Sequence, residues 1–194
     1  SETMPAKVRA IRRTTFLPVT PRGLVTLQDV KRVTFGVEST LPAGSRLLFM
    51  VGEEDVHEEP IVFRTVTETR DLPDKVLTRL EPGAVLTWGV IAPDGTEWAT
   101  TATIIEDAPA VEEEIERAFK TRADADVRTE LVIRALLAQQ RNSAALARLD
   151  ANRGSDAESG VLQALRRAVL RRLFENDYDA LMSSALWAAA NGDG

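Results

Sequence analysis

Cysteine is absent from this 194-residue chain, and histidine occurs once, at His57. Without cysteine there is no disulfide framework, no thiolate metal site and no cysteine nucleophile. With a single histidine, zinc sites built from several imidazoles and paired-histidine mechanisms are excluded. A Ser-His-Asp relay would have to use His57, which sits among Glu53, Glu54, Asp55, Glu58 and Glu59, and no Gly-x-Ser-x-Gly elbow supplies the serine. Phosphate-cradling glycine patterns are missing as well, since Gly52, Gly83, Gly89 and Gly95 stand singly in turns or strands. No apolar run approaches the ~20 residues that span a bilayer, and none has the make-up of a signal-peptide core.

What is present is a hydrophobic content of 44%, enough for one large or two small cores. The net charge is −6, and the basic residues are mostly arginines scattered among acids, which argues against nucleic acid as a partner. Arg9, Arg12 and Arg13 cluster near the start, either as a contact for a phosphate or lipid head group or as an ordinary charged leading segment.

Up to about residue 108 the pattern alternates. Val33, Phe35 and Val37 precede a Leu41-Pro42-Ala43-Gly44 turn, and Leu47, Phe49 and Val51 run up to Gly52. Val62, Thr65 and Val66 belong to a β-branched run ending at Thr69, and Phe16–Leu27 offers one further strand that Pro18 and Pro21 confine to an edge. The clearest signal is a turn at Pro82-Gly83, a strand with Leu86, Trp88 and Val90 on one face, a Pro93-Asp94-Gly95 turn, and a return strand in which Trp98, Thr100, Ala102 and Ile104 alternate.

Leu80, Pro82, Gly83, Trp88 and Val90 resemble the E–F corner of fibronectin type III and related immunoglobulin-like domains. Leu86 stands where those families carry the corner tyrosine, so the hydroxyl-to-backbone bond is missing. The resemblance implies an immunoglobulin-like β-sandwich over residues 1–108. A different all-β sandwich or barrel with the same hairpin is the alternative.

After Asp107-Ala108-Pro109 the period changes to that of helices, and residues 109–194 are expected to form a helical bundle. Glu112, Glu113, Glu114 and Glu116 load a first helix with Val111, Ile115, Ala118 and Phe119 inside. Asp126 is expected to cap a second, Val127–Gln140, apolar at Val127, Leu131, Ala135 and Ala138 and broadened by Val132 and Leu136. A third begins at Ser143 with Leu146 and Leu149. A fourth restarts at Ser155 or Asp156 and runs to about Glu175 on Val161, Leu162, Leu165, Ala168, Val169 and Leu173. A last one from Tyr178 buries Leu181, Met182, Ala185, Leu186 and Trp187.

The stretches Leu136–Leu149 and Phe174–Leu181 resemble tetratricopeptide repeats, with Arg141 at the turn where glycine is usual and no closing proline. A generic bundle is the alternative. A sandwich followed by such helices resembles bacterial envelope proteins of the FecR type, an architectural likeness that lends no catalytic residues.

Candidate sites are few. Arg166, Arg167, Arg171 and Arg172 flank one helix and could hold an acidic partner through bidentate hydrogen bonds, or form a solvated face. The acidic loop Glu53–Glu59 has oxygen ligands for calcium but lacks the Asp/Asn/Gly spacing of a calcium loop, so no metal and no cofactor is expected. Trp88 and Trp98 could serve as a sugar-binding platform if exposed, or as core.

The reading is an α+β protein in which the sandwich and bundle act as a non-enzymatic adaptor or scaffold for a protein or peptide partner, without inserting in a membrane. A carbohydrate- or small-ligand-binding sandwich is the alternative, and an enzyme using acidic residues a third. The compartment is expected to be the bacterial periplasm if a membrane segment precedes Ser1 in a longer chain, and the cytoplasm otherwise.

Overall fold

The structure is a computed structural model that describes residues 16–61, 67–107, 111–119, 124–153 and 158–192. Strands come first and helices follow. In chain order the strands are β1 (Phe16–Thr20), β2 (Gly23–Thr26), β3 (Arg32–Val37), β4 (Arg46–Val51), β5 (Glu54–Pro60) and β6 (Thr67–Asp71). A short helix α1 (Asp74–Leu77) precedes β7 (Val85–Ile91) and β8 (Glu97–Ile105). The remaining helices are α2 (Val111–Phe119), α3 (Ala125–Ala138), α4 (Asn142–Ala151), α5 (Gly160–Leu173), α6 (Tyr178–Met182) and α7 (Ala185–Ala190).

One sheet has the order β1-β3-β6 and the other β2-β8-β7-β4-β5, with β2 parallel to β8 and the other pairs antiparallel. Their facing side chains form one core. Phe16, Val33 and Phe35 from the first sheet meet Leu47, Phe49, Leu86, Trp88, Val90 and Ile104 from the second. Phe16 packs at 5.0 Å from Phe35 and edge-on to Trp88 at 6.5 Å, geometries that suit the ring quadrupoles.

The hairpin forms for the reasons its sequence gives. Ala84 N–H donates to Glu81 C=O at 2.9 Å, with Gly83 at φ 93°, so Glu81–Ala84 is a type II turn. In place of a tyrosine hydroxyl, backbone bonds pin this corner to β8: Gly83 N–H to Ile104 C=O (2.8 Å) and Ile104 N–H to Ala84 C=O (2.9 Å). At the far end Gly95 N–H donates to Ala92 C=O (2.9 Å), and the Asp94 carboxylate accepts from Thr96 N–H at 2.9 Å.

Phe16–Leu27 is not one strand. The chain leaves the first sheet after β1, passes the cis Thr20–Pro21 bond and enters the second sheet as β2. Both strands are edges, β1 as its Pro18 requires. The acidic segment is likewise a strand rather than a loop: β5 closes the edge of the larger sheet, antiparallel to β4. A charged edge of this kind discourages pairing with a second chain. Val62, Thr65 and Val66 lie outside the described residues, and α1, which buries Val76, was not foreseen.

The helices build a second core, into which β1 also projects: Leu17 and Val19 join Val132, Ile133, Leu149, Leu162, Val169 and Phe174. Several expected faces are rotated. In α3 the buried residues are Thr129, Val132, Ile133, Leu136 and Leu137, while Val127 is 46% exposed and Ala138 is exposed. Ile133 and Leu137 lie two residues on from the expected Leu131 and Ala135, and with Val132 and Leu136 they form the buried stripe because it carries the larger side chains. Asp124, not Asp126, holds the N-cap position. Val111 is buried in α2 and Ala118 exposed, while the side chains of Glu112, Glu116 and Phe119 lie outside the described residues.

Helix α5 begins later than expected, at Ser159, whose side chain accepts from Leu162 N–H, so Val161 falls on the solvent side. Ser155 and Asp156 lie outside the described residues. The last helix is two short ones, because Ser184 accepts from Trp187 N–H and caps a new start. Leu181 is buried, but Met182 and Ala185 are exposed. Between α3 and α4 the left-handed residue is Gln140 (φ 58°), one before Arg141. Gln140 N–H bonds Leu137 C=O (3.1 Å) and Arg141 N–H bonds Leu136 C=O (2.9 Å), a Schellman ending.

Candidate functional site

At about 100° per residue, positions i, i+1, i+5 and i+6 of a helix point toward roughly 0°, 100°, 140° and 240°. The four arginines of α5 therefore cannot share one face. Arg166 points inward and is 5% exposed. Its guanidinium is held by Glu158 (Nη2 to Oε1 2.8 Å, Nε to Oε2 3.1 Å) and by Asp150 (Nη1 to Oδ1 2.5 Å). Burial works against its charge, but these two carboxylates outweigh that cost and hold its pKa above the ordinary value. Arg166 is a structural ion-pair centre, and its place in an arginine row facing a partner is corrected accordingly.

Arg167 is half-buried, its Nη1 reaching Ala190 C=O at 3.4 Å. Arg171 and Arg172 are the exposed pair. The Arg171 guanidinium lies 5.2 Å from the Trp187 ring centroid, and Arg172 Nη1 donates to Leu137 C=O at 3.0 Å. Both border an open groove of about 570 Å³ where the start of β2 meets the α3–α4 turn and the end of α5. Gly23, Leu24, Asn142 and Glu175 complete its walls with Gln140.

The seam beneath this groove is fixed by Arg22, a residue that the sequence alone did not single out. Arg22 is buried, with its guanidinium carbon 4.0 Å from the Phe174 ring centroid. Its Nη1 donates to Asp177 Oδ2 (2.7 Å) and its Nη2 to Pro18 C=O (2.8 Å). Burial lowers its pKa, and the hydrogen bond and charge of Asp177 oppose that shift. The Ser143 hydroxyl accepts from Arg22 N–H (3.0 Å) and donates to Arg22 C=O (2.8 Å). The available signal was a lone arginine between Pro21 and Gly23 in an otherwise apolar stretch. Two further bridges join the halves: Arg141 Nη2 to Asp29 Oδ2 (2.9 Å) and Ala185 N–H to Glu38 Oε2 (3.1 Å).

A second groove, of about 540 Å³, has an apolar floor of Val111, Leu136, Ala144 and Ala147. The Arg141–Asp29 ion pair (2.9 Å) stands on its rim.

The tryptophans do not form a platform. Trp88 is 1% exposed and its Nε1–H donates to Pro21 C=O at 2.8 Å, so it is core, and its candidacy as a ligand contact is corrected. Trp98 is half-buried against the same core. The carboxylates of β5 are dispersed: Glu58 pairs with Arg46, Glu54 with Arg79, and Glu59 with Arg70 (3.3 Å), while the His57 ring Nε2 lies 3.1 Å from Glu59 Oε2. The Arg70 pKa is raised, chiefly by its hydrogen bond to Glu68. Among the described residues no group of three or more His, Asp or Glu side chains gathers as a metal site, and no helix is long and apolar enough to cross a membrane.

No protein-family model matches the chain, and no curated protein matches it. Among solved structures, the crystal structure of CopC from Methylosinus trichosporium OB3b aligns with 48% of this chain and 96% of its own, at 18% identity and a TM-score of 0.31. A likeness at that score carries no weight for fold or function.

Proposed function

We propose that this protein is a non-enzymatic interaction module in which an immunoglobulin-like sandwich and a tetratricopeptide-like bundle together present a docking surface to a protein partner. The observation that carries the reading is the groove at the seam, where Arg171 and Arg172 stand exposed on a protein whose overall charge is negative. Such a local reversal of sign selects a partner by charge and keeps other acidic surfaces away from the rest of the molecule. The finer family likeness rests on the Pro82-Gly83 corner and on the helix pair α3–α4.

The test uses the purified full chain to capture a partner from an extract of the source organism. The partner is then identified, purified and titrated calorimetrically against wild-type protein and the Arg171→Glu/Arg172→Glu variant. Charge reversal at both arginines is expected to weaken the complex by about tenfold or more. Unchanged affinity in the variant, or turnover of a substrate by the wild-type protein, would contradict the proposal.

A further inference from the structure

The groove beside Arg171 and Arg172 contains an interrupted strand edge. Among the described residues β2 is the outermost strand of its sheet and pairs with β8 alone. Backbone N–H and C=O groups of alternate strand residues point to the same side. At Arg22 both groups turn away from β8 and meet the Ser143 hydroxyl, which stands in for a neighbouring strand. At Thr26 the C=O on that same side is closed by Asp29 N–H at 3.0 Å. Leu24 shares the parity of Thr26, and because Ile104 spends its N–H and C=O on the β7 side, Thr103 and Ile105 of β8 take Gly23 and Val25 of β2; the N–H and C=O of Leu24 therefore point away from β8, toward the groove.

Two further features lie beside it. Among the described residues Asn142 Oδ1 is buried at the groove wall without a hydrogen-bond partner, although a buried amide acceptor ordinarily has one. Arg171 and Arg172, at the end of α5, offer charged donors to the same groove, tempered by the carboxylate of Glu175.

Resting on the interaction-module reading above, we propose that this groove takes an extended peptide segment of the partner by strand addition at Leu24, with an acidic side chain of that segment on Arg171 and Arg172. The peptide backbone would exchange its N–H and C=O with those of Leu24, as in other strand-addition complexes. An extended chain suits the site because a helix keeps its backbone groups for itself and could not pair with Leu24. The sequence preference is set by charge alone: one Asp or Glu, flanked by side chains that leave the backbone free.

A phage-displayed library of linear octapeptides, selected on the full-length protein, supplies the probe. Selected peptides are expected to share an acidic residue and to bind Arg171→Glu/Arg172→Glu about tenfold more weakly. Glu175→Gln should tighten them by about threefold. Methylating the one peptide nitrogen that pairs with Leu24 should cost about three- to tenfold, by removal of a single hydrogen bond. In 15N-labelled protein the Leu24 amide should become protected from hydrogen exchange when peptide is added. Inorganic phosphate, as an anion without a backbone, should leave that amide unprotected.

If Leu24 stays unprotected and no methylation position matters, strand addition is wrong. The interaction module then still stands, provided that the purified partner remains sensitive to the two arginines. If neither peptide nor partner responds to Arg171 and Arg172, both proposals fail.

Discussion

Single residues in this protein have roles that substitution can separate. Gly89 faces Ala99 across the β7–β8 pair, and a Cβ built on it would lie 2.0 Å from Trp98 C=O and 2.5 Å from Ala99 Cα. The obstacle is backbone and cannot rotate away. Gly89→Ala is expected to destabilise the protein by about 3 kcal/mol, read as a lower urea midpoint. Gln140 presents the opposite case. It holds a left-handed conformation that glycine adopts without a Cβ penalty. Gln140→Gly should raise stability by about 0.5–1 kcal/mol, measured the same way, since relief of the strained φ outweighs the extra freedom of glycine in the unfolded chain. The buried guanidinium of Arg166 is a third case. Arg166→Ala leaves Glu158 facing Asp150 without a cation, and about 3 kcal/mol should be lost. Arg166→Met refills the volume but leaves the same carboxylates unpaired. It should recover little of that loss, which a pair of urea curves would reveal.

Elements were legible in proportion to how local their causes are. The β7–β8 hairpin is written in its turns: Pro82-Gly83 and Pro93-Asp94-Gly95 dictate backbone angles, and alternation then sets which face is buried. Helices were visible by period, yet their inward faces were not, because alanine-rich sequences support neighbouring stripes almost equally and tertiary packing chooses between them. That is why α3 buries Ile133 and Leu137 and leaves Val127 in water. The four arginines of α5 read as one flank because they are close in sequence, although 100° steps disperse them and the acids that hold Arg166 come from other segments. The strand β1 carried its own clue. Phe16-Leu17-Pro18-Val19 does not alternate, as befits a strand covered on both faces, by the other sheet at Phe16 and by the helices at Leu17 and Val19.

At the scale of the whole molecule, the strand and helix cores meet through β1 and Arg22, and the groove exists only because they meet. Leu17→Ala empties a site shared with the helical core and should cost about 3 kcal/mol. With the two cores coupled, that loss should appear equally in the amide exchange of β7 and of α5. Exchange that accelerates in α5 alone would mean the halves open separately. The seam between the two cores is the proposed docking site. The most direct measurement places a photo-reactive residue at Glu175, inside the groove, or at Thr101, exposed on β8, and irradiates the full-length protein with its purified partner. A crosslink is expected from position 175 that disappears when Arg171 and Arg172 are changed to glutamate, and none from position 101. A crosslink from position 101 alone, or one from position 175 that survives the charge reversal, would contradict docking at the seam.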